Sequence, residues 1–158
     1  MKLDDMYQEV ILDHYRNPHG KGLSEPFDAQ VHHVNPTCGD EITLRVHLTG
    51  EPGRETVDSV SFDSLGCSIS QASASVLHDQ VTGTSLEQAM RTLDEFSALM
   101  RAATETVNPD EELLGDAIAF EGVAQYPARI KCALLSWMAF KDATAQAVNA
   151  HTSERSNS

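Results

Sequence analysis

The sequence predicts an α+β domain in which helices pack on one face of a small, three-stranded antiparallel sheet. The first observation is that apolar residues recur at helical spacing before residue 16, alternate between residues 27 and 62, and return to helical spacing after residue 67. The second is that short connections separate the alternating runs, which favours antiparallel pairing. The sequence contains no internal repeat and no linker, so its 158 residues predict one domain.

The first element is predicted to be an amphipathic helix that ends near Arg16. Apolar residues from Leu3 to Ile11 lie three and four positions apart, which places them on one helical face. The following segment, "RNPHGKG", combines a proline with two glycines and provides the stop signal.

Three alternating runs predict the strands. The first begins at Phe27, the second contains Ile42 and Leu48, and the third contains Val60 and Phe62. The segment "GEPGRE" between the second and third runs has the glycine and proline content of a hairpin loop. The other positions of these runs are half polar, as expected for a sheet face in contact with solvent.

The rest of the chain is predicted to be mainly helical. One helix begins after Cys67 in a stretch of small residues that allows close approach to its neighbours. Ser85 and Gln88 form a capping box for the next helix. The segment "NPDEELLGDAIAFEG" then predicts a short helix and a loop, and the last helix starts at Pro127.

The limits of the domain follow from composition. We expect residues 1–148 to form the domain and the polar residues 149–158 to be a disordered tail.

The opening segment "MKLDDMYQEV" has neither a basic region nor an uninterrupted apolar run, and the longest apolar stretch, "CALLSWMAF", is too short to span a bilayer. The sequence therefore predicts a cytoplasmic protein without a membrane partner.

The charge balance restricts the classes of partner. There are 11 Lys and Arg residues against 24 Asp and Glu residues, for a formal net charge of -13. Such a field repels phosphate backbones and anionic lipid. Nucleic acid is therefore not expected as a partner, and a protein with a basic face is favoured.

Three cysteines, Cys38, Cys67 and Cys132, are the candidate functional residues. An odd number cannot pair within one chain, and a reducing compartment keeps all three as thiols. Each is predicted at the end of an element: in the first hairpin turn, at the start of the helix after the third strand, and in the first turns of the last helix. Element ends converge at one edge of a small domain, and a helix N-terminus favours the thiolate.

Asp40 extends this set to four candidate ligands. It follows Cys38 with only Gly39 between them, and glycine permits a backbone conformation that turns both side chains toward one point. Three thiolates and a carboxylate form a tetrahedral ligand set, and Arg129 and Lys131 are available to offset its surplus negative charge. The alternative is three buried cysteines that act as small apolar residues. It stays open because Cys-Gly-Asp is a weak motif and no CxxC pair is present.

Four segments in order carry a family resemblance: "DDMYQEVILDHYRNPHGKG", "NPTCGD", "GCSISQASAS" and "ARIKCALLSW". Over residues 3–145 the chain resembles the IscU/NifU-N family of iron-sulfur cluster assembly proteins, and within it the SufU branch, which implies an IscU/SufU-like fold. Two departures from the IscU pattern indicate the branch. Lys131 stands where IscU proteins carry a histidine ligand, and "AQYPARIKCA" lacks their double-proline chaperone motif. The long interval between Cys67 and Cys132 also looks like the insertion of SufU proteins.

The resemblance implies a metal site and an activity. The metal is Zn²⁺, held by Cys38, Asp40, Cys67 and Cys132. The activity is that of a zinc-dependent sulfurtransferase: a PLP-dependent, SufS-like cysteine desulfurase makes a persulfide, and Cys38 accepts its sulfur for transfer to downstream cluster-assembly proteins. Arg129 is a second catalytic candidate, through hydrogen bonds to a displaced thiolate or to the aspartate.

Two alternatives to this activity stay open. In the first, the chain is a scaffold on which the same ligands hold a [2Fe-2S] cluster or iron, although the missing histidine and chaperone motif count against it. In the second, a structural zinc joins the sheet to the last helix and function resides in protein contacts, but closed structural sites usually use paired CxxC ligands. The histidines, His14, His32 and His33 among them, are predicted to be packing or surface residues.

Overall fold

The order of elements confirms the predicted α+β arrangement of one helix, three strands and further helices. The computed structural model describes residues 3–36, 39–101 and 110–156. Its elements are α1 (Leu3–Arg16), β1 (Ala29–Asn35), β2 (Asp40–Thr49), β3 (Thr56–Leu65), α2 (Ser68–Val81), α3 (Leu86–Arg101), α4 (Glu111–Leu114), a 3-10 segment (Gly115–Gln125) and α5 (Pro127–Ser156). No helix among these residues is long and apolar enough to cross a membrane.

The three strands form one antiparallel sheet in the order β1-β2-β3. Asn35 at the end of β1 pairs with Asp40 at the start of β2, and Glu41 pairs with Leu65 at the end of β3. The β1–β2 turn and the connection from β3 to α2 therefore lie at the same edge of the sheet. This register positions the candidate site.

One face of the sheet is buried, as the alternation predicted. The inward positions of β2 are fully buried, and the positions between them keep partial exposure. Helices α2 and α5 contact the strands from this side. The buried positions of β2 are Asp40, Ile42, Leu44, Val46 and Leu48.

Small residues in α2 allow α5 to approach closely. The Trp137 indole of α5 stacks on Phe96 with ring centroids 4.3 Å apart, and its Nε1–H donates to Ser73 Oγ at 2.9 Å. The Ser73 hydroxyl in turn donates to the carbonyl of Ala133 at 2.6 Å. The Trp137 indole N–H, the Ser73 hydroxyl and the Ala133 carbonyl thus satisfy one another, which avoids the cost of burying these groups unpaired.

A hydrogen bond joins β1 to α5. His33 Nε2 lies 2.8 Å from Asp142 Oδ2, and Gln146 also donates to this carboxylate, at 3.0 Å. These two hydrogen bonds favour the ionised carboxylate and lower the pKa of Asp142. His33 is therefore a packing and tethering residue, in agreement with its predicted class.

Several predicted boundaries differ from the structure. The first strand begins at Ala29 rather than at Phe27, and α4 begins at Glu111, while its predicted start at residues 108–109 lies outside the described residues. The last helix continues to Ser156, through most of the segment predicted as a disordered tail, because neither proline nor glycine interrupts residues 128–156. The domain limit at residue 148 stays a prediction.

Candidate metal centre

Asp40 is the buried carboxylate at the shared edge of the sheet. Its side chain faces the core side of β2, and only 1% of the residue is exposed. Asp40 Oδ1 accepts a hydrogen bond from the backbone N–H of Cys67 at 3.0 Å. A buried carboxylate needs such partners to offset its lost hydration, so the start of α2 and the start of β2 hold each other in place.

Cys67 is the exposed N-cap residue of α2. Its Sγ lies 3.7 Å from Asp40 Oδ2 and 3.8 Å from Ser70 Oγ. Cys67 is thus placed as a ligand or a nucleophile rather than as a core residue.

Cys132 reaches the same point from α5. It is only 3% exposed, and its Sγ lies 3.6 Å from the carbonyl oxygen of Ala128 one turn earlier. One donor atom each from Asp40, Cys67 and Cys132 lie within 4.8 Å of one another. The fold therefore brings together a strand start and two helix starts that are far apart in sequence.

The donor set fits a tetrahedral ion such as Zn²⁺. Zinc–sulfur bonds of about 2.3 Å and zinc–oxygen bonds of about 2.1 Å separate two ligands of one ion by roughly 3.5 to 4 Å. The observed separations, all within 4.8 Å, approach this range. Two sulfurs and one oxygen leave one position for a fourth ligand. Cys38 lies outside the described residues, so its place among the ligands stays a prediction.

Two glycines give this edge its backbone shape. Gly39 has φ +72°, a left-handed conformation that glycine adopts without a steric penalty. Gly66 has φ +155°, and a Cβ at this position would overlap the Asp40 carboxylate and the Ser70 hydroxyl. Gly66 and Ser70 were not predicted as site residues from the sequence. Their positions relative to Cys67 could have indicated them, because Gly66 directly precedes Cys67 and Ser70 follows it by one helical turn.

We expect Gly66→Ala to weaken zinc binding as well as stability. The backbone conformation costs a residue with a side chain about 1–3 kcal/mol, and the new methyl group pushes against Asp40. Gly53→Ala is the matched control, because Gly53 also has positive φ (+86°) but open space around its Cβ position. Thermal unfolding and competition with a zinc chelator measure both effects. Equal zinc affinities for the two variants would contradict the assigned role of Gly66.

The two basic residues before Cys132 are exposed on α5. The Arg129 guanidinium lies 5.2 Å from the ring centroid of Tyr126, and within the described residues no ion pair joins Arg129 to Asp40. Arg129 precedes Cys132 by three positions, so both lie on one side of the helix. The catalytic role of Arg129 and the charge-offsetting role of Lys131 stay predictions.

The fold and the site together are those of an α+β domain with a thiol-rich centre. Helices cover a three-stranded sheet, and a carboxylate and two thiols lie at one edge of that sheet. The chain belongs to the family described as the NifU-like N terminal domain, which matches residues 6–133. This confirms the predicted family and its fold.

Relatives in this family have two different named functions. The chain is 41% identical over 144 residues to the zinc-dependent sulfurtransferase SufU of Bacillus subtilis (strain 168), covering 91% of this chain and 92% of that protein. It is 38% identical over 149 residues to the iron-sulfur cluster assembly scaffold protein IscU of Streptococcus pyogenes serotype M1, covering 94% and 89%. The N-terminal part of a nitrogen-fixing NifU-like protein from Brucella abortus shares the fold, with a TM-score of 0.73, 27% identity and coverage of 92% and 96%.

Proposed function

We propose that the chain is a zinc-dependent sulfurtransferase. It accepts sulfur from the persulfide of a PLP-dependent, SufS-like cysteine desulfurase and passes it to downstream proteins of iron-sulfur cluster assembly. The supporting observation is the convergence of Asp40, Cys67 and Cys132 at one edge of the sheet, with donor atoms within 4.8 Å of one another. The similarity to a relative named as a zinc-dependent sulfurtransferase points the same way.

The proposed zinc ligands are Cys38, Asp40, Cys67 and Cys132. Cys38 is two residues from Asp40, so their Cα atoms lie at most about 7 Å apart, whatever the conformation of the turn. A bound zinc ion keeps coordinated thiols deprotonated at neutral pH. The set therefore supplies the thiolates that sulfur transfer requires.

The proposed acceptor is Cys38. Its thiolate attacks the terminal sulfur of the desulfurase persulfide, a new S–S bond forms on Cys38, and the desulfurase cysteine leaves as a thiolate. This exchange needs no external oxidant or reductant. Burial to 3% exposure disfavours Cys132 as the acceptor. Cys67 is exposed, so burial does not exclude it, and detection of added sulfur on Cys38 or on Cys67 decides between them.

Arg129 is proposed to act beside the acceptor. It is exposed and lies one helical turn before Cys132, so its guanidinium is within reach of ligands at this edge. There it would donate hydrogen bonds to Asp40 or to a free thiolate. A planar cation with five N–H donors suits this role better than a neutral side chain.

An exposed apolar pair beside the site supports docking of a protein partner. Val34 of β1 and Leu65 of β3 both pair with Glu41 and are exposed on the sheet face opposite the core. They lie on either side of Glu41, and exposed apolar side chains beside a site can contribute to a contact surface. With a net charge of -13, the chain is expected to favour a desulfurase with a basic docking face.

The second candidate function is a scaffold that holds a [2Fe-2S] cluster on the same four residues. The relative from Streptococcus pyogenes, named as a scaffold, is nearly as similar as the sulfurtransferase. Lys131 stands before Cys132, where the cluster scaffolds are expected to carry a histidine ligand. This difference favours zinc over iron in the chain described here.

Metal analysis of the purified chain tests the proposal. We expect one equivalent of zinc to survive washing with a weak chelator, and no visible absorption, because three thiolates and a carboxylate suit a tetrahedral zinc ion. Asp40→Ala should lose this equivalent during the same wash. Stoichiometric iron and sulfide with visible absorption in the wild type would instead identify the scaffold.

A further inference from the structure

A second group of metal-binding side chains lies near the other end of α2. His14, His19 and Asp79 each offer one donor atom, and these three atoms lie within 4.8 Å of one another. His14 belongs to α1, His19 follows the end of that helix, and Asp79 lies in the last turn of α2. His19 Nδ1 is already 2.6 Å from Asp79 Oδ2.

Hydrogen bonds determine the orientation of the His14 ring. His14 is 3% exposed, and its Nε2 lies 2.9 Å from Asp116 Oδ2. Because a carboxylate only accepts, Nε2 carries the hydrogen and Nδ1 keeps a lone pair when the ring is neutral. Nδ1 lies 2.7 Å from Ser75 Oγ, which also accepts the backbone N–H of His19 at 2.8 Å. The Ser75 hydroxyl therefore donates to Nδ1, and an ion bound at this nitrogen would replace that hydrogen bond.

This arrangement is typical of histidines that bind metals. Such a histidine usually donates its other ring N–H to a carboxylate, which holds the ring and raises the basicity of the ligating nitrogen. Asp116 supplies this carboxylate. An ion pair would account for His19 and Asp79 alone. His14 adds a buried third donor atom that lies within 4.8 Å of the donor atoms of both.

We propose that His14, His19 and Asp79 form a second divalent metal site. Two imidazole nitrogens and one carboxylate oxygen suit Zn²⁺ and similar ions, whereas Mg²⁺ and Ca²⁺ prefer oxygen ligands throughout. Three protein ligands leave one coordination position for water. His19 and Asp79 are exposed, so an ion reaches the site from solvent.

The second site is distinct from the cysteine centre. Asp79 follows Cys67 by twelve positions along α2, which corresponds to about 18 Å at 1.5 Å per residue. One ion cannot use ligands from both groups. The second ion joins α1 and the segment after it to α2. It therefore stabilises the docking of the N-terminal helix rather than the thiol chemistry.

Cobalt titration of the untagged, metal-free full chain tests this site. Thiolate–cobalt charge-transfer absorption reports on the cysteine centre, and further uptake without that absorption reports on the histidine site. We expect two equivalents of Co²⁺ in the wild type. His19→Ala and Asp79→Asn should each weaken the second equivalent at least tenfold and leave the charge-transfer band unchanged. His32→Ala, an exposed histidine on β1, is the matched control and should keep both equivalents.

The outcomes separate the second site from the proposed function. Uptake of one equivalent by the wild type, or an unchanged second equivalent in His19→Ala, would show that His19 and Asp79 form an ion pair only and would overturn the proposal. Loss of the charge-transfer band with the second equivalent intact would concern the sulfurtransferase proposal alone. Both test residues are exposed, so these variants should fold.

Discussion

Replacing Cys38 with alanine is expected to abolish the acceleration that the wild-type chain gives to its desulfurase. With free cysteine and a reductant present, the wild type should increase multiple-turnover sulfide production, because it removes persulfide that otherwise blocks the enzyme. Thiol–persulfide exchange needs a thiolate at the acceptor position, and the neighbouring Asp40 carboxylate cannot replace it. Turnover with Cys38→Ala should fall to the rate of the desulfurase alone.

Mass spectrometry of the acceptor separates loss of the nucleophile from loss of the metal. Asp40→Ala should reduce turnover by loosening the metal, yet it retains Cys38 and should still show some added sulfur there. Arg54→Ala changes an exposed residue in the β2–β3 loop, at the opposite edge of the sheet, and should stimulate as the wild type does. Full stimulation by Cys38→Ala, or persulfide found only on Cys67 or Cys132, would defeat the assignment of the acceptor.

Removal of the metal is expected to lower the melting temperature by on the order of 10 °C. The described ligands come from β2, the start of α2 and α5, so an ion bound there adds a direct link between three elements. Ligand at about 1,000 times its Kd adds roughly 4 kcal/mol to the free energy of unfolding. In a domain of this size each kcal/mol raises Tm by about 2–4 °C. Thermal unfolding with and without a strong chelator measures the shift.

Cys67→Ser is the cleaner variant for the same question. Cys67 is exposed, whereas Cys132 is buried, so Cys132→Ser also disturbs packing. Cys67→Ser should melt below the wild type when zinc is present, and the two should melt together after chelation, because the variant has lost only its metal binding. A wild-type melting temperature that does not change on chelation would contradict the stabilising role of the metal.

Local patterns in the sequence were sufficient to predict the secondary-structure elements and most residues of the candidate site. The change of hydrophobic period located the helix, the three strands and the later helices. The capping prediction is confirmed by the hydrogen bond from the Gln88 N–H to Ser85 Oγ at 3.1 Å. Gly39 has a positive φ, a backbone conformation that glycine permits, as its place before Asp40 suggested. These features depend on interactions between residues a few positions apart, which a sequence shows directly.

The residues around the candidate ligands depended on the tertiary structure. A side chain at Gly66 would overlap Asp40, because the β2–β3 register brings the Asp40 carboxylate against this position. No local sequence pattern predicts that contact. His14 was predicted to be a packing residue. It gained its neighbours Ser75 and Asp116 only when α1 packed against α2 and the 3-10 segment.

By itself, the sequence determined the family, the α+β class, the three cysteines with Asp40 as candidate ligands, and a strongly acidic surface. It determined these because composition, period and motif order are properties of the chain before it folds. Only the tertiary structure decided that Asp40, Cys67 and Cys132 meet within 4.8 Å, and that His14, His19 and Asp79 form a second group at the far end of α2. The physical reason is that strand register and helix docking are set by burying apolar surface across the whole core. Residues as many as 92 positions apart, as Asp40 and Cys132 are, become neighbours only through that burial.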